Sequence, residues 1–284
     1  MTIDLTSLEI FRAVVSEGGV SKAALKLNRV QSNISTRIKQ LEQHLGKSLF
    51  IRQNRSLVLT PDGEILLSYA DKLIDLARDA ADALNDGKPK GKFRIGAMES
   101  TAAARLPKLL ARYNQQYPEV QIELTTGTAG ALLRQLQSKE IEVAFVAEPV
   151  PASEFDMAEM ADEQLVLILP NSYPVRRNFR YLSGKTLIAF EVGCAYRRYL
   201  EDWVARENIV PGSIMSVSSY LAIFACVAAG SGFALAPQSV IDLVQMESRF
   251  QQFRLPNELQ CIKTYLVWPK EVMSLRLTAL QELI

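Results

Sequence analysis

The sequence predicts an α/β protein with an N-terminal winged helical module, a long connecting helix, and a C-terminal half built of two α/β lobes. Three observations carry this reading. Apolar residues recur at helical spacing as far as Leu45, two short β-like segments then flank a polar loop, and from Phe93 strand-like and helix-like stretches alternate. At 284 residues and 48% apolar content, the chain has the material for two or three cores.

Leu5, Leu8, Phe11, Val14 and Val15 line one side of a first helix, which Gly18-Gly19 ends. Val20 to Leu27 reads as a short second helix in which Ala23 and Ala24 permit close packing. Asn28-Arg29 makes a tight turn. Gln31 to Leu45 then forms a third helix, with Ile34, Ile38, Leu41 and Leu45 facing inward and Gly46 as its stop. Two helices joined by a short turn, the second polar and basic on its outer face, make a helix-turn-helix. Leu49 to Ile51 and Leu57 to Leu59 are β segments around Gln53-Asn54-Arg55-Ser56, which is the pattern of a wing.

Thr60-Pro61 is an N-cap followed by proline at the first helical position, and it opens a helix running to about Leu84. Leu66, Leu73, Ala77, Ala80 and Leu84, with Tyr69, Ile74 and Leu76 nearby, give that helix an apolar side. A small winged domain does not cover such a side, so pairing with the same helix of a second chain is expected, beside packing on the chain's own C-terminal half. Asn85 to Lys92 is the linker that ends it. The expected domains are therefore residues 1–60 for the winged module, 61–92 for the connecting helix and hinge, and 93–284 for the α/β half. One lobe of that half takes about 93–163 and 265–284, the other about 164–264.

In the α/β half, FRIGAM, QIELTTG and VAFVAE read as strands, with helices over Leu106 to Tyr117 and Leu132 to Ser138. A second run has QLVLILP, TLIAF and GFALAP as strands, with helices over Tyr196 to Asn208 and Tyr220 to Ala229. CIKTYLVWP and a terminal helix return to the first unit. Ser213 to Ile241 carries no charge over 29 residues, which raises a membrane span. Gly230, Gly232 and Pro237 interrupt it and no basic residues flank it closely, so a buried helix followed by a buried strand is expected.

Charge is neutral overall and uneven locally. Val20 to Thr60 holds eight basic residues against Glu42 alone, a net +7 that leaves the rest at −6 in a chain of +1. Such a field suits a polyanion. Cys194, Cys226 and Cys261 are odd in number, far apart and without CxxC spacing, which argues against a disulfide scaffold or zinc site. The segment MTIDLTSLEIF has acids and no basic-then-apolar order, so it does not read as a signal peptide, and a cytoplasmic location is expected. His44, in the third helix, is the only histidine, so no Ser-His or Cys-His site arises in the α/β half. GxSxG, the P-loop and GxGxxG are absent too, and no catalytic residue, metal or cofactor is expected.

The stretch FRAVVSEGGVSKAALKLNRVQSNISTRIKQLEQHLGKSLFIRQNRSLVLTPDGE resembles the winged helix-turn-helix of LysR-type transcriptional regulators, and the resemblance extends over the whole chain. It implies a DNA-binding module, a dimerising linker helix, and an effector domain similar to periplasmic solute-binding proteins. It also implies homodimers or homotetramers that bind promoter DNA, change transcription when a small inducer fills the cleft, and stand near RNA polymerase. Two positions depart from the family pattern. Val30 stands where a small hydroxyl residue usually opens the recognition helix, so the free N–H groups there need another acceptor, the Asn28 side chain or a DNA phosphate. Asn33 stands where alanine is frequent, which makes it either a further base or phosphate contact or a solvated residue.

The resemblance places Gln31, Ser32, Ser35 and Thr36 toward base edges, with Asn33 among them as the open case just named. Arg37 and Lys39 suit phosphates, and Arg55 and Asn54 at the wing suit the minor groove. Arg52 suits DNA or an ion pair with Glu42 or Glu64. For the effector, Ser100, Thr101, Thr128 and Glu148 follow strands of one lobe, while Cys194, Ala195, Tyr196, Ser219 and Tyr220 open helices of the other. Helix N-termini favour an organic acid, whereas Glu99, Glu148 and Glu191 favour an amine or amino acid. Cys194 beside Arg197 and Arg198 invites a lowered thiol pKa and a redox-sensing alternative, but Cys226 is 32 residues away as a resolving partner, so a buried or cleft-lining thiol is expected ahead of it. A solute-binding protein without DNA function is the other alternative.

Overall fold

The computed structural model describes residues 3–53, 56–84, 87–176, 178–255, 261–270 and 274–284. It divides into two compact units, Met1–Lys88 and Pro89–Ile284.

In the first unit, α1 (Leu5–Ser16) starts where the Asp4 carboxylate accepts both the N–H and the hydroxyl of Ser7, at 2.8 and 2.7 Å. It buries Leu8, Ile10, Phe11 and Val14 against α2 (Val20–Lys26), where Ala23 and Ala24 are small enough to sit in the contact. Asn28 then adopts φ +51°, the left-handed turn that re-aims the chain into α3 (Gln31–Leu45). Ile34, Ile38 and Leu41 anchor α3, and Gly46 at φ +65° ends it. Glu42 accepts the N–H groups of Leu49 and Phe50 at 2.7 and 3.3 Å, fixing where the hairpin leaves the helix. That hairpin pairs β1 (Phe50–Gln53) with β2 (Ser56–Leu59) antiparallel, from Phe50 opposite Leu59 to Gln53 opposite Ser56. Asn54, Arg55 and the side chain of Arg52 lie outside the described residues.

Thr60 accepts the Gly63 N–H at 3.0 Å and donates to the Ser48 carbonyl at 2.7 Å, starting α4 (Pro61–Leu84). Gly63 is pressed so closely on the Leu49 carbonyl that any Cβ there would collide with it. Ala70 and Ile74 join the core from α4, while Ile65, Tyr69, Leu73 and Leu76 are exposed on its other side. The helix thus has two apolar stripes. Leu66, expected on the outward one, and Ile74, expected near it, both face the core.

The second unit contains β3 (Gly91–Ala97), α5 (Glu99–Ala104), α6 (Leu106–Gln116), β4 (Val120–Thr126), α7 (Ala129–Gln137), β5 (Val143–Ala147) and β6 (Phe155–Glu163). There follow β7 (Leu165–Pro170), β8 (Thr186–Phe190), α8 (Ala195–Arg206), β9 (Ser213–Val217), α9 (Tyr220–Ala228), β10 (Ala234–Pro237), α10 (Gln238–Val244), β11 (Phe250–Arg254), β12 (Ile262–Pro269) and α11 (Leu275–Gln281). The order β4-β3-β5-β12-β6 makes a five-stranded sheet in which β3 runs parallel to β4 and β5, and β12 antiparallel to β5 and β6. A second sheet has the order β10-β7-β11, and β8 pairs parallel with β9 beside it. The chain leaves the first sheet after Glu163 and returns to it at Ile262. The uncharged run from Ser213 resolves into β9, α9, β10 and the start of α10, and no described helix is long and apolar enough to cross a membrane.

Arg276 on α11 is 5% exposed and donates to Glu142 at 2.8 Å and to the Lys90 carbonyl at 3.0 Å. Glu142 also accepts the Arg94 N–H at 3.1 Å, and the Tyr113 hydroxyl donates to the Arg276 carbonyl at 3.1 Å. Arg276→Ala leaves the Glu142 carboxylate in place without its nearest cation. We expect a loss of about 3 kcal/mol or more, read as a lowered melting temperature of the second unit by calorimetry.

Candidate nucleic-acid interface and ligand cleft

On α3, Gln31, Ser32, Asn33, Thr36, Arg37 and Lys39 are exposed and Ser35 is half-buried. Ser32, Asn33, Thr36 and Arg37 line one shallow recess together with Gln40. Gln40 did not stand out in the sequence, although it sits one turn beyond Thr36 and Arg37 on the same face. Val30 is the N-cap residue, 68% exposed, and no described side chain caps the helix; Asn28, one of the two expected acceptors, does not fill that role. The Val30 carbonyl takes the N–H groups of Asn33 and Ile34 at 3.0 and 3.4 Å. The opening of α3 is therefore an apolar side chain followed by solvent-facing polar ones.

The local positive field is smaller than the +7 count suggests. Lys26 pairs with Glu17 at 2.6 Å and Lys47 with Asp62 at 3.5 Å, both acids lying just outside the basic window. The Asp4 carboxyl is held below its usual range, first by the hydrogen bonds from Ser7 and to a lesser degree by the charge of Arg37. Arg37, Lys39 and Arg29 remain on the exposed surface around α3.

In the second unit, β3 ends at Ala97, Met98 caps α5, and Glu99, Ser100 and Thr101 form its first turn, the last two buried. An inner chamber of about 20 Å³ is lined by Glu99, Ser100, Thr128, Cys194, Tyr196 and Tyr220 among others. An outer recess of about 360 Å³ adjoins it through Ala129 and Cys194, with Gly130, Pro149, Gly193, Ala195, Arg197 and Arg198 on its walls. The two sheets' elements meet here through short polar contacts. The Gly130 N–H donates to the Gly193 carbonyl at 3.3 Å, and the Tyr220 N–H to Glu99 Oε1 at 3.3 Å. Gly193, at φ +96°, is the residue that allows this approach, because a Cβ there would stand 3.2 Å from the Thr128 hydroxyl.

Of the expected ligand residues, Ser100, Thr128, Cys194, Tyr196 and Tyr220 share the inner chamber, and Ala195 lines the outer recess. Thr128 also caps α7 by accepting the Ala131 N–H at 3.3 Å. Thr101, Glu148 and Ser219 line neither space. Glu148 follows the end of β5, where successive side chains turn to opposite faces, and its neighbours Ala147 and Pro149 are the ones on the recess. The acid that does line the chamber is Glu99, whose carboxyl is pushed up by burial and drawn back by the Tyr220 N–H and the Ser219 hydroxyl.

Cys194 lines both spaces, as expected of a cleft-lining thiol, but the lowered thiol pKa is not found. Burial is the dominant influence and pushes its thiol up, outweighing the lowering by backbone N–H groups and Arg197. Arg197 is engaged elsewhere, with Glu201 at 2.7 Å, the Phe190 carbonyl at 2.9 Å and the Ser216 hydroxyl at 3.1 Å. Cys194, Cys226 and Cys261 are all free.

Comparison with known proteins agrees with both halves. Residues 5–64 match the family model described as bacterial regulatory helix-turn-helix protein, lysR family, and residues 86–284 match the LysR substrate binding domain. The chain is 34% identical over 272 residues to the HTH-type transcriptional regulator GltR of Bacillus subtilis, covering 95% of this chain and 92% of that protein. It is 36% identical over 265 residues to the uncharacterized HTH-type transcriptional regulator YusT of the same organism, covering 93% and 89%. Among solved structures, a variant of full-length OxyR from Pseudomonas aeruginosa superposes with a TM-score of 0.70 at 21% identity, covering all of this chain and 94% of that one. Full-length CbnR in complex with its target DNA gives 0.67 at 20%, covering 99% of each. These two likenesses are of fold.

The raised thiol has a direct chemical consequence, since the thiolate is the reactive form. We expect Cys194 in the native chain to be alkylated by iodoacetamide at pH 7.5 at least about tenfold more slowly than in the urea-unfolded chain. Peptide mass spectrometry over time measures this, and equal rates would restore a reactive cysteine.

Proposed function

The chain belongs to the LysR family of bacterial transcriptional regulators, and from that premise we propose that α3 is its reader of promoter DNA and that the chambers of the second unit receive its effector. Regulators of this family bind promoter DNA and small-molecule effectors and oligomerise, and they are not enzymes. The observation that carries the reading for this chain is the outer face of α3. Six of the seven polar residues expected to touch DNA there are exposed, on a helix whose apolar side is locked into the core by Ile34, Ile38 and Leu41.

In this reading α3 enters the major groove by its N-terminus. Gln31 offers an amide to adenine N6 and N7, and Ser32, Asn33, Ser35 and Thr36 face neighbouring base edges. Val30 meets the groove as an apolar surface. Arg37 and Lys39 neutralise phosphates, and Arg52, Asn54 and Arg55 on the wing reach the backbone or the minor groove. A single module carries too few contacts to find one site, so two are joined. The exposed stripe Ile65, Tyr69, Leu73 and Leu76 on α4 is spaced by three and four residues, as a second copy of the helix would require. Two such dimers form the tetramer, beside RNA polymerase in the cytoplasm. Effector binding alters how the dimers sit on DNA. Among the alternatives, redox sensing through Cys194 draws less support, since burial pushes the thiol up.

Two variants separate the roles on α3, measured by fluorescence anisotropy with promoter DNA at two salt concentrations. Arg37→Ala weakens binding to all sequences alike and lowers the salt slope by about 1. Gln31→Ala costs about 1–3 kcal/mol on the preferred site and little on unrelated DNA. Salt-independent binding by the parent chain would count against the reading. For the helix pair, Leu73→Asp is expected to shift sedimentation toward the monomer at micromolar concentration, with an unchanged far-UV circular dichroism spectrum.

A further inference from the structure

The inner chamber is chemically one-sided. Glu99 Oε1 accepts the Tyr220 N–H and the Ser219 hydroxyl lies near the carboxyl, but Oε2 is buried and makes no hydrogen bond of good geometry. Tyr196 is 3% exposed, and its buried hydroxyl makes no hydrogen bond of good geometry, with the Thr264 and Ser100 hydroxyls as its near neighbours. Ser100 and Thr128 add hydroxyl groups, and the rings of Phe190 and Tyr220, 4.7 Å between centroids, stand side by side in the lining. Among the described residues, no lysine or arginine lines the chamber, and none is among the influences on the Glu99 carboxyl.

A buried carboxylate oxygen with no donor is costly, and what relieves it is a donor that brings positive charge. A primary ammonium group offers three donors and no acceptor, and it is close to water in size. A chamber of about 20 Å³ holds one group of that size. Aromatic faces beside it favour a cation further. A carboxylate in the same place would confront the Glu99 carboxylate at close range, and a neutral hydroxyl would bring one donor to two waiting acceptors. The rest of the ligand has the outer recess of about 360 Å³, whose walls include Arg198.

Resting on the effector-cleft reading, we propose that the ligand of this regulator carries a primary ammonium group, seated in the inner chamber against Glu99 Oε2 and the Tyr196 hydroxyl.

The test uses the full chain and three sets of probes in thermal-shift assays followed by titration. The first set is the common L-amino acids with ethylamine, butylamine and putrescine. The second holds their analogues with hydroxyl in place of ammonium, and the third holds short mono- and dicarboxylates. The expected result is a concentration-dependent rise in melting temperature with one or more ammonium probes and not with their hydroxyl analogues. Amino acids alone would identify a zwitterion with its carboxylate in the outer recess, and amines alone a simple cation.

Glu99→Gln keeps an acceptor for the Tyr220 N–H and should weaken the bound ammonium probe at least about tenfold. Tyr196→Phe removes one hydroxyl, gives a smaller loss, and carries the test if the Gln variant does not melt cooperatively. Binding by hydroxyl or carboxylate probes but not ammonium ones, or unchanged affinity in Glu99→Gln, overturns the ammonium assignment and leaves the cleft as an effector site. Silence from all three sets overturns the assignment and counts against the effector reading as well.

Discussion

The second unit depends on one constraint, that a buried charge must find its partners. Glu142 and Arg276 meet at 2.8 Å although 134 residues separate them. The Lys90 carbonyl, the Arg94 N–H and the Tyr113 hydroxyl complete the cluster. Between them these groups hold the start of β3, helix α6, the turn before β5 and the final helix in one arrangement. Because β3 is fixed at its beginning, its end is fixed too, and that end carries Glu99 and Ser100 to the inner chamber.

The first unit shows the same economy in apolar surface. On α4, Ala70 and Ile74 complete the core shared with α1, while Ile65, Tyr69, Leu73 and Leu76 stay outside. The outer stripe is the surface proposed above for a second copy of the helix. The turn from α3 into the hairpin is set by the carboxylate of Glu42 on two backbone N–H groups, and the start of α4 by Thr60 and the glycine contact at position 63. Each joint of the first unit is thus held by a polar contact or a missing Cβ, and these contacts set where the exposed face of α3 stands in it.

The helical spacing of Leu8, Phe11, Val14, Ile34, Ile38 and Leu41, the stop at Gly46 and the cap at Thr60-Pro61 were legible because each obeys a local rule. The strands FRIGAM, VAFVAE, QLVLILP and TLIAF were legible as short apolar runs. β6, with the sequence FDMAEMADE, was not, because it is an edge strand and its outer positions carry acids. β9 was missed for a related reason, since it is exposed over nearly its whole length and so lacks a buried face to set a pattern.

What the sequence determined by itself is therefore the order of most elements, β6 and β9 excepted, the winged helix-turn-helix and the exposed face of α3, all of which follow from contacts within a few residues. Tertiary structure alone decided which acid enters the chamber, Glu99 rather than Glu148, because that depends on where two strands end relative to another sheet. It also decided the state of Cys194, where burial outweighs the neighbouring arginines, and the field around α3, where Glu17 and Asp62 fold back onto Lys26 and Lys47. Desolvation and pairing are properties of position in space, and residue order specifies them only through the completed fold.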